Sequence, residues 1–218
     1  MLQRVITARL QAVLRTARAS SNTTHGFRPV IGIECHVQLN TTTKAFCRCA
    51  PSTTAAPNTR VCGVCLGEPG SLPVASTDAP LLGLKAAVAL DCEDLSQTLE
   101  WDRKNYQYPD LPKGYQITQA RTPLARSGKV QIEERTIRIT SLHLEEDSAK
   151  TTDVLDHNRA GVALAEIVTE PDLRSGKEAA AFVRELQQVV KRCGASLGRL
   201  EHGELRVDVN VSVTQDGE

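Results

Sequence analysis

Two segments of the sequence, residues 30–39 and 206–213, alternate apolar and polar residues with a period of two. Successive side chains of a β-strand point to opposite faces, so each segment predicts a strand with one apolar and one polar face. Residues 137–144 follow a similar pattern, and residues 162–168 form an apolar run interrupted only by Glu166. The four segments predict a sheet with one face packed against a core.

The polar sides of these strands carry side chains that bind cations and phosphates. Each strand taken alone favours an ordinary solvated face. Carboxylates gathered on one surface repel one another unless cations lie between them, and Mg²⁺ with ATP phosphates is the commonest occupant of such a surface. Taken together, the strands predict one concave surface with these ligand candidates: Glu34, His36, Glu145 or Glu146, Glu166 and Asp208.

Two helices are predicted to cover the sheet. The first begins at Thr77 or Asp78 and continues to about Leu90. The second begins with a capping box at residues 175–178 and ends at Gly194. Strands and helices do not alternate regularly along the chain, so we expect an α+β fold with a mixed or antiparallel sheet. The apolar stripe of the second helix consists of Phe182, Leu186, Val189 and Val190.

Four of the seven cysteines lie in two close pairs. The sequence between the pairs has no apolar repeat, so a bound metal ion would supply its order. Four thiolates complete the tetrahedral coordination of Zn²⁺ and leave no position for a catalytic water, which predicts a structural zinc site in the loop 46–66. An iron–sulfur centre and a redox-active pair are the alternatives. The predicted zinc ligands are Cys47, Cys49, Cys62 and Cys65.

The beginning of the sequence differs in charge from the remainder. Residues 1–33 contain five arginines and no carboxylate, in a chain whose formal net charge is zero. Apolar residues and arginines of this segment gather on opposite sides of a helix, as in mitochondrial import sequences. Residues 1–29 are therefore predicted to be a presequence for the mitochondrial matrix, with an ordinary surface helix as the alternative. No apolar run approaches the ~18 residues of a membrane span, so no membrane insertion is expected.

All three tyrosines lie in the segment 102–116, beside basic side chains. Aromatic faces next to cations suit an unpaired nucleotide or the end of a tRNA. The segment is predicted to be an irregular loop, and a purely structural loop fixed by its Pro and Gly residues is the alternative to nucleotide binding. The candidates for binding ATP or another substrate in this segment are Arg103, Lys104, Tyr106 and Lys113.

Several longer motifs occur in the order that is found in one enzyme family. Over residues 30–213 the sequence resembles the B subunit of the aspartyl/glutamyl-tRNA amidotransferases. Cys35 departs from the aliphatic residue usual in that family, which is a conservative change because cysteine packs as a small apolar side chain. The motifs are IGIECHVQL at 31–39, DRKNYQYPDLPKGYQ at 102–116, LHLEED at 142–147, NRAG at 158–161, EIVTEPD at 166–172 and RVDVN at 206–210.

The resemblance implies an ATP-dependent ligase. In the family, the B subunit uses ATP and Mg²⁺ to phosphorylate the side-chain carboxylate of Glu attached to tRNA(Gln). Ammonia from the amidase (A) subunit then displaces phosphate, and a small (C) subunit is part of the same complex. The implied fold is a cradle similar to the catalytic domains of glutamine synthetase and guanido kinases. Family members continue beyond the last predicted strand, so residues 30–218 are expected to be an incomplete cradle without the C-terminal helical and tRNA-binding tail domains.

The resemblance also implies roles for individual residues, matched motif by motif. Arg206 and Asn210 are implied to lie near phosphate or substrate, and the four paired cysteines match a zinc site present in some members. The implied catalytic residues are Glu34, His36, Glu146, Glu166 and Asp208. The implied Mg²⁺ ligands are Glu34, His36, Glu145, Glu146, Glu166 and Asp208.

Two other functional classes are weighed against the ligase. One is a truncated, zinc-stabilised module that binds RNA or assists assembly and has no catalytic centre. The other is a zinc hydrolase, which is disfavoured because four thiolates close the metal to a catalytic water.

Overall fold

The computed structural model describes residues 26–133, 135–151 and 153–215. The predicted presequence lies outside the described residues up to position 25, whereas residues 27–29 belong to the first strand. None of the helices in the described ranges has both the length and the apolar character needed to cross a membrane. The helices are α1 (Gly63–Leu66), α2 (Asp78–Ala89) and α3 (Gly176–Arg192). The strands are β1 (Phe27–Gln38), β2 (Asp94–Leu95), β3 (Asp102–Asn105), β4 (Tyr115–Thr118), β5 (Ala125–Ile132), β6 (Arg135–Glu146), β7 (Lys150–Thr151), β8 (Leu155–Asp156), β9 (Ala163–Thr169) and β10 (Leu205–Gln215).

Six of these strands form one sheet in the order β10-β1-β9-β6-β5-β2, and every neighbouring pair is antiparallel. The four strands predicted from the alternating segments are β1, β6, β9 and β10. They are consecutive in the sheet although β1 and β10 are far apart in the sequence. The prediction of an α+β fold with a mixed or antiparallel sheet is therefore confirmed.

One face of this sheet forms the core together with α2 and α3. Cys35 and Ile167 lie opposite each other on β1 and β9 and are both fully buried on this face. From α3, Phe182, Leu186 and Val190 pack against the sheet with no exposed surface. Burying each such side chain contributes about 1.5–3 kcal/mol, which fixes α3 to the sheet. The other face of the sheet is left for the polar residues.

Side-chain hydrogen bonds stabilise the starts of α3 and α2. The Ser175 hydroxyl accepts a hydrogen bond from the backbone N–H of Glu178 at 3.2 Å, as the capping box predicts. At the start of α2, the Asp78 carboxylate accepts hydrogen bonds from both the backbone N–H and the hydroxyl of Thr42. This second contact ties α2 to the segment that leads into the cysteine loop.

A β-bulge in β6 decides which of its side chains face the polar side. The register of β6 against β9 shifts between Ile139 and Ser141. As a result the buried side chains change from odd to even positions, and Leu142 faces the core. His143 and Glu145 consequently lie on the polar face, near the end of the strand.

The segment 102–116 is more regular than the sequence predicts. Instead of an irregular loop, it contains β3 and the start of β4, which pair as an antiparallel hairpin with Arg103 opposite Ile117. The connecting residues 106–114 are held by a backbone hydrogen bond from Tyr106 N to Gly114 O at 3.2 Å. The aromatic and basic side chains are thus presented from a hairpin that lies beside the end of β6.

Candidate active site

Four polar side chains form a continuous row across the centre of the sheet. His143 on β6 lies opposite Glu166 on β9, Glu166 lies opposite His36 on β1, and His36 lies opposite Arg206 on β10. Directly opposed residues of neighbouring strands have Cβ atoms about 4.5–5.5 Å apart. The antiparallel register therefore brings together polar residues from four distant parts of the sequence.

His36 is the centre of a compact cluster on this polar face. Its Nε2 lies 3.2 Å from Glu145 Oε1 and 3.6 Å from Glu166 Oε2, and its Nδ1 lies 3.8 Å from Asp208 Oδ2. One ligand atom from each of His36, Glu145 and Glu166 lies within 4.8 Å of the others. One imidazole nitrogen and two carboxylates at this spacing can hold a single divalent cation.

The charges in the cluster are strongly coupled. Burial lowers the pKa of His36, but hydrogen bonds to Glu145 and Glu166 outweigh it and raise this pKa to about 10. Burial raises the pKa of Glu166, yet hydrogen bonds to His143 and His36 hold it well below its ordinary value. The Glu166 carboxylate is therefore ionised at neutral pH and favours positive charge beside it.

A second pair of acids lies at the rim of the cluster. Glu34 and Asp208 are directly opposite each other on β1 and β10. Like charges in directly opposed positions destabilise a sheet, and a cation between them removes that repulsion. Asn210 donates a hydrogen bond of 3.1 Å to Glu34 Oε1, and Asp208 is 74% exposed. The rim is thus open to a ligand from solvent.

Glu146 lies outside this cluster, so of the two acids that the sequence offered as alternatives for the polar surface, the structure places Glu145 there. It follows Glu145 within β6, so alternation directs its side chain to the opposite face of the sheet. There it forms an ion pair with Lys113 and accepts a hydrogen bond of 2.9 Å from Ile117 N. Burial raises the pKa of Glu146 despite the opposing effect of Lys113.

The predicted phosphate-binding arginine is already paired with a carboxylate. Arg206 forms a bidentate ion pair with Asp147, with nitrogen–oxygen distances of 2.8 and 3.0 Å. Asp147 is 5% exposed, and Arg159 approaches the same carboxylate at 3.5 Å. Two guanidinium groups therefore share one buried acid, and Arg206 is fixed beside His36 at the end of the polar row.

The substrate residues predicted in the segment 102–116 lie on the β3–β4 hairpin. The guanidinium of Arg103 lies 4.7 Å from the centre of the Tyr115 ring, and Lys104 lies 6.0 Å from the centre of the Tyr106 ring. Tyr106 donates a hydrogen bond of 3.1 Å to Gln116 Oε1. Burial raises the pKa of Tyr106, and the nearby charge of Glu145 raises it further. Tyr106 therefore lies within electrostatic reach of the His36 cluster.

The four paired cysteines form a separate cluster. One sulfur from each of the four lies within 4.8 Å of the others, and the Sγ atoms of Cys62 and Cys65 are 3.9 Å apart. Sulfurs bound 2.3 Å from a tetrahedral zinc ion are about 3.8 Å from one another, so the arrangement fits one such ion. The Cys65 Sγ also accepts a hydrogen bond of 3.1 Å from Cys62 N. A hydrogen bond from Cys47 lowers the pKa of Cys65 to about 4, which favours the thiolate.

An aromatic contact connects the cysteine cluster to the start of the β3–β4 hairpin. Phe46, the residue before Cys47, packs edge-on against Trp101 with ring centres 5.0 Å apart. Phe46 is buried, whereas Trp101 is partly buried against the core. The loop with the first cysteine pair is thereby anchored to the residue that precedes β3.

Comparison with known proteins identifies the family. Residues 29–218 match the GatB/GatE catalytic domain. The chain belongs to the GatB/GatE family. This agrees with the resemblance inferred from the motifs, and it places the whole six-stranded sheet, with the exception of its first two residues, inside the matched region.

Relatives in the GatB/GatE family are similar over most of this chain. The chloroplastic/mitochondrial B subunit of the glutamyl-tRNA(Gln) amidotransferase of Sorghum bicolor is 47% identical over 220 residues, which are 94% of this chain and 40% of that protein. The B subunit of the aspartyl/glutamyl-tRNA(Asn/Gln) amidotransferase of Thermosipho melanesiensis is 49% identical over 199 residues, 86% of this chain and 42% of that protein. The chain thus spans about two fifths of the length of these relatives.

Sequence reasoning missed two residues of this GatB/GatE domain that the structure places in the site. His143 contacts Glu166 in the polar row, and Asp147 holds Arg206. The shift of the apolar positions within 137–144 from odd to even was a sequence signal for His143, because it indicates the bulge. No comparable signal identified the partner of Asp147, since its pairing depends on the distant strand β10.

Proposed function

We propose that this chain carries the Mg²⁺ and ATP site of a tRNA amidotransferase. The observation that carries the proposal is the cluster of His36, Glu145 and Glu166, whose spacing suits one divalent cation. Glu34 and Asp208 at the open rim would then receive a second cation or orient the first through water. The names of the relatives support a role in converting Glu-tRNA(Gln) to Gln-tRNA(Gln).

In the proposed reaction, the side-chain carboxylate of Glu on tRNA(Gln) attacks the γ-phosphorus of ATP and ADP leaves. Ammonia then attacks the activated carbonyl carbon, phosphate leaves, and the amide remains. Bound Mg²⁺ supplies neutralisation of the negative charge on the phosphates. His36, Glu145 and Glu166 would hold the ion, and the β1–β9–β6 register would fix their positions. Most of the catalysis then comes from positioning and electrostatics, with no covalent nucleophile.

The β3–β4 hairpin is proposed to contribute to substrate binding. Its cations over aromatic rings, Arg103 on Tyr115 and Lys104 near Tyr106, suit stacking with a base and contact with phosphate. Asn210 would contact substrate or phosphate at the open rim, where it donates a hydrogen bond to Glu34. Lys113 and Arg206 are proposed to act through their ion pairs with Glu146 and Asp147, rather than as free cations.

We further propose a structural metal ion, partner subunits and a cellular location for this chain. The Cys47, Cys49, Cys62 and Cys65 cluster would hold a structural zinc ion, since its four thiols complete the coordination. The sheet would be part of a cradle similar to that of glutamine synthetase, and the assembled enzyme would include amidase (A) and small (C) subunits. The plant relatives are named chloroplastic/mitochondrial, which supports an organelle. We propose the mitochondrial matrix, with an import sequence that ends before β1 begins at Phe27 rather than at residue 29.

Thermal unfolding with ATP tests the proposal. ATP at about 100 times its dissociation constant should stabilise the chain by about 2.7 kcal/mol, and only when Mg²⁺ is present. Glu166→Gln should abolish this stabilisation because it removes one of the two carboxylates that, with His36, form the proposed cation site. Glu170→Gln is the matched control, since the Glu170 carboxylate accepts a hydrogen bond from the exposed Thr140 and does not contact His36.

Two results would contradict the proposal. Stabilisation by ATP that is equal with and without Mg²⁺ would mean that the carboxylate cluster does not hold the nucleotide through a cation. An absence of any ATP effect in the wild type would favour the non-catalytic RNA-binding or assembly module.

A further inference from the structure

The end of α1, which carries Cys65, touches the backbone of Lys113 directly. Gly67 follows α1 in the left-handed conformation, with φ at +72°. A Cβ atom at Gly67 would lie 2.9 Å from Lys113 Cα and 3.0 Å from Lys113 N. Real Cβ atoms do not approach backbone atoms so closely, so only glycine permits this contact. The turn after the second cysteine pair and the β3–β4 hairpin are therefore in mutual backbone contact.

Lys113 in turn holds the buried carboxylate on β6. Its side chain is 8% exposed and forms an ion pair with Glu146, which is 3% exposed. The same carboxylate oxygen accepts the backbone N–H of Ile117, and Gln116 donates a side-chain hydrogen bond to Glu146 O. Glu146 thus connects the end of β6 to the start of β4 through three contacts.

A second route connects the cysteine cluster to the same carboxylate. Gly161 has φ at +81°, and a Cβ atom there would lie 3.6 Å from Cys65 Cβ and 3.8 Å from Glu146 Oε2. Gly161 O also accepts a hydrogen bond of 2.8 Å from Ala45 N, two residues before Cys47. Cys65 and Glu146 therefore lie on either side of one glycine.

We infer that the cysteine cluster is a positioning device for Lys113 and Glu146, and that metal occupancy determines whether the Lys113–Glu146 pair and the amide of Ile117 are held in place. The inference takes from the proposed function only that the four thiols bind zinc. It adds that zinc acts on the end of β6, where the next residue back, Glu145, contacts His36 on the other face.

The local structure explains why the metal would be needed. α1 has four residues, too few to be stable as an isolated helix. Most of the residues 51–60 between the cysteine pairs are exposed, so this loop contributes little to the core. A metal ion that joins four thiolates supplies the order that such a loop lacks. Without the metal ion, the turn at Gly67 is not held in a fixed position against Lys113.

Hydrogen exchange of the Ile117 amide provides the first test. In the complete chain, removing zinc with a chelator should accelerate exchange at Ile117 about tenfold or more, because local opening becomes easier. With zinc bound, Gly67→Ala should have the same effect, since its methyl group would displace Lys113. Gly70→Ala is the matched control: Gly70 has φ at +83° and no atom within 4 Å of its Cβ position. It imposes the same backbone strain without touching Lys113.

The reverse experiment does not depend on the Gly67 variant. If zinc and the ion pair stabilise each other, Glu146→Gln must weaken zinc binding, by about tenfold in competition with a chelator. Glu204→Gln is the control, because Glu204 is equally buried and paired with Arg199 but belongs to another part of the fold. A purely local structural role for Glu146 would lower stability and leave zinc affinity unchanged.

The outcomes separate this inference from the proposed function. Zinc content of the wild type is measured first, and its absence would overturn both this inference and the proposed zinc site. Bound zinc with unchanged exchange at Ile117 after chelation, or with unchanged zinc affinity in Glu146→Gln, would overturn the inference alone. Faster exchange in Gly67→Ala but not in Gly70→Ala supports it.

Discussion

One oxygen of Glu166 is shared by two imidazoles: its Oε2 lies 2.9 Å from Nε2 of His143 and 3.6 Å from Nε2 of His36. The carboxylate is held from both neighbouring strands and is only 14% exposed. Such a carboxylate has little rotational freedom, which preorganises it for a ligand on the open side of the sheet. His143 therefore acts on the site through Glu166.

His143→Leu is expected to weaken binding of Mn²⁺, used as a probe for Mg²⁺, by about tenfold or more, because loss of a partner that orients a metal ligand typically has this effect. His143→Gln should recover part of the affinity, since an amide can still bond Glu166. Titration followed by electron paramagnetic resonance measures the free Mn²⁺. His202→Gln, at an exposed histidine, is the control, and equal affinities in all three variants would refute the positioning role.

Cys62→Ser is expected to abolish binding of one zinc ion per chain and to destabilise the fold. A loss of about 2 kcal/mol would lower the melting temperature by roughly 4–8 °C in a chain of this size. Metal analysis and thermal unfolding monitored by circular dichroism measure the two effects. Cys193→Ser should retain zinc, because Cys193 is outside the cluster and its hydrogen bond to Val190 O can be made by serine. Loss of zinc in both variants would argue against the assigned ligands.

Lys113→Met is expected to reduce the free energy of unfolding by about 3 kcal/mol or more, because it leaves a buried carboxylate without its partner. Lys129→Met should leave it nearly unchanged, since the Lys129–Asp91 pair is exposed to solvent. Urea denaturation measures both. Adding Glu146→Gln to Lys113→Met should restore part of the stability. If the double variant instead loses the sum of the two single losses in free energy of unfolding, the pairing is contradicted.

The ion pair of Asp172 predicts a specific pH dependence. Hydrogen bonds from Arg138 hold the pKa of Asp172 below its ordinary value in the folded protein. Ionised Asp172 therefore stabilises the fold above the ordinary carboxyl pKa of about 4, and this stabilisation is lost as pH falls through the lower, folded-state pKa.

The measurement compares Asp172→Asn with the wild type by urea denaturation between pH 7 and about pH 3. The difference in the free energy of unfolding should be largest near neutral pH and should shrink on acidification. Asp91→Asn is the control, because the exposed pair with Lys129 contributes little at any pH. A difference for Asp172→Asn that stays constant across the range would contradict the assigned cause.

The sequence was informative wherever one face of a strand is buried. The alternation in 30–39 and 206–213 located β1 and β10, and it correctly placed Glu34, His36 and Asp208 on one side. It could not distinguish Glu145 from Glu146, because adjacent acids at a strand end face opposite sides. Which of them joins the site depends on the bulge in β6 and on whether the strand continues through both.

Contacts made by loops could not be predicted from the sequence in the same way. Lys113 was expected to bind substrate because it lies near tyrosines, but the structure pairs it with Glu146. That pairing depends on the β3–β4 hairpin folding back over the end of β6. No periodicity within the segment 102–116 encodes such a long-range contact, since it follows from tertiary packing.

The edge-on contact between Phe46 and Trp101 gives the molecule an internal optical probe. Trp101 is the sole tryptophan of the chain, so all tryptophan emission arises from this one ring. The ring lies against Phe46, the residue before the first cysteine pair. Filling or emptying the thiol cluster should therefore be visible as a change in intrinsic fluorescence, without any attached dye.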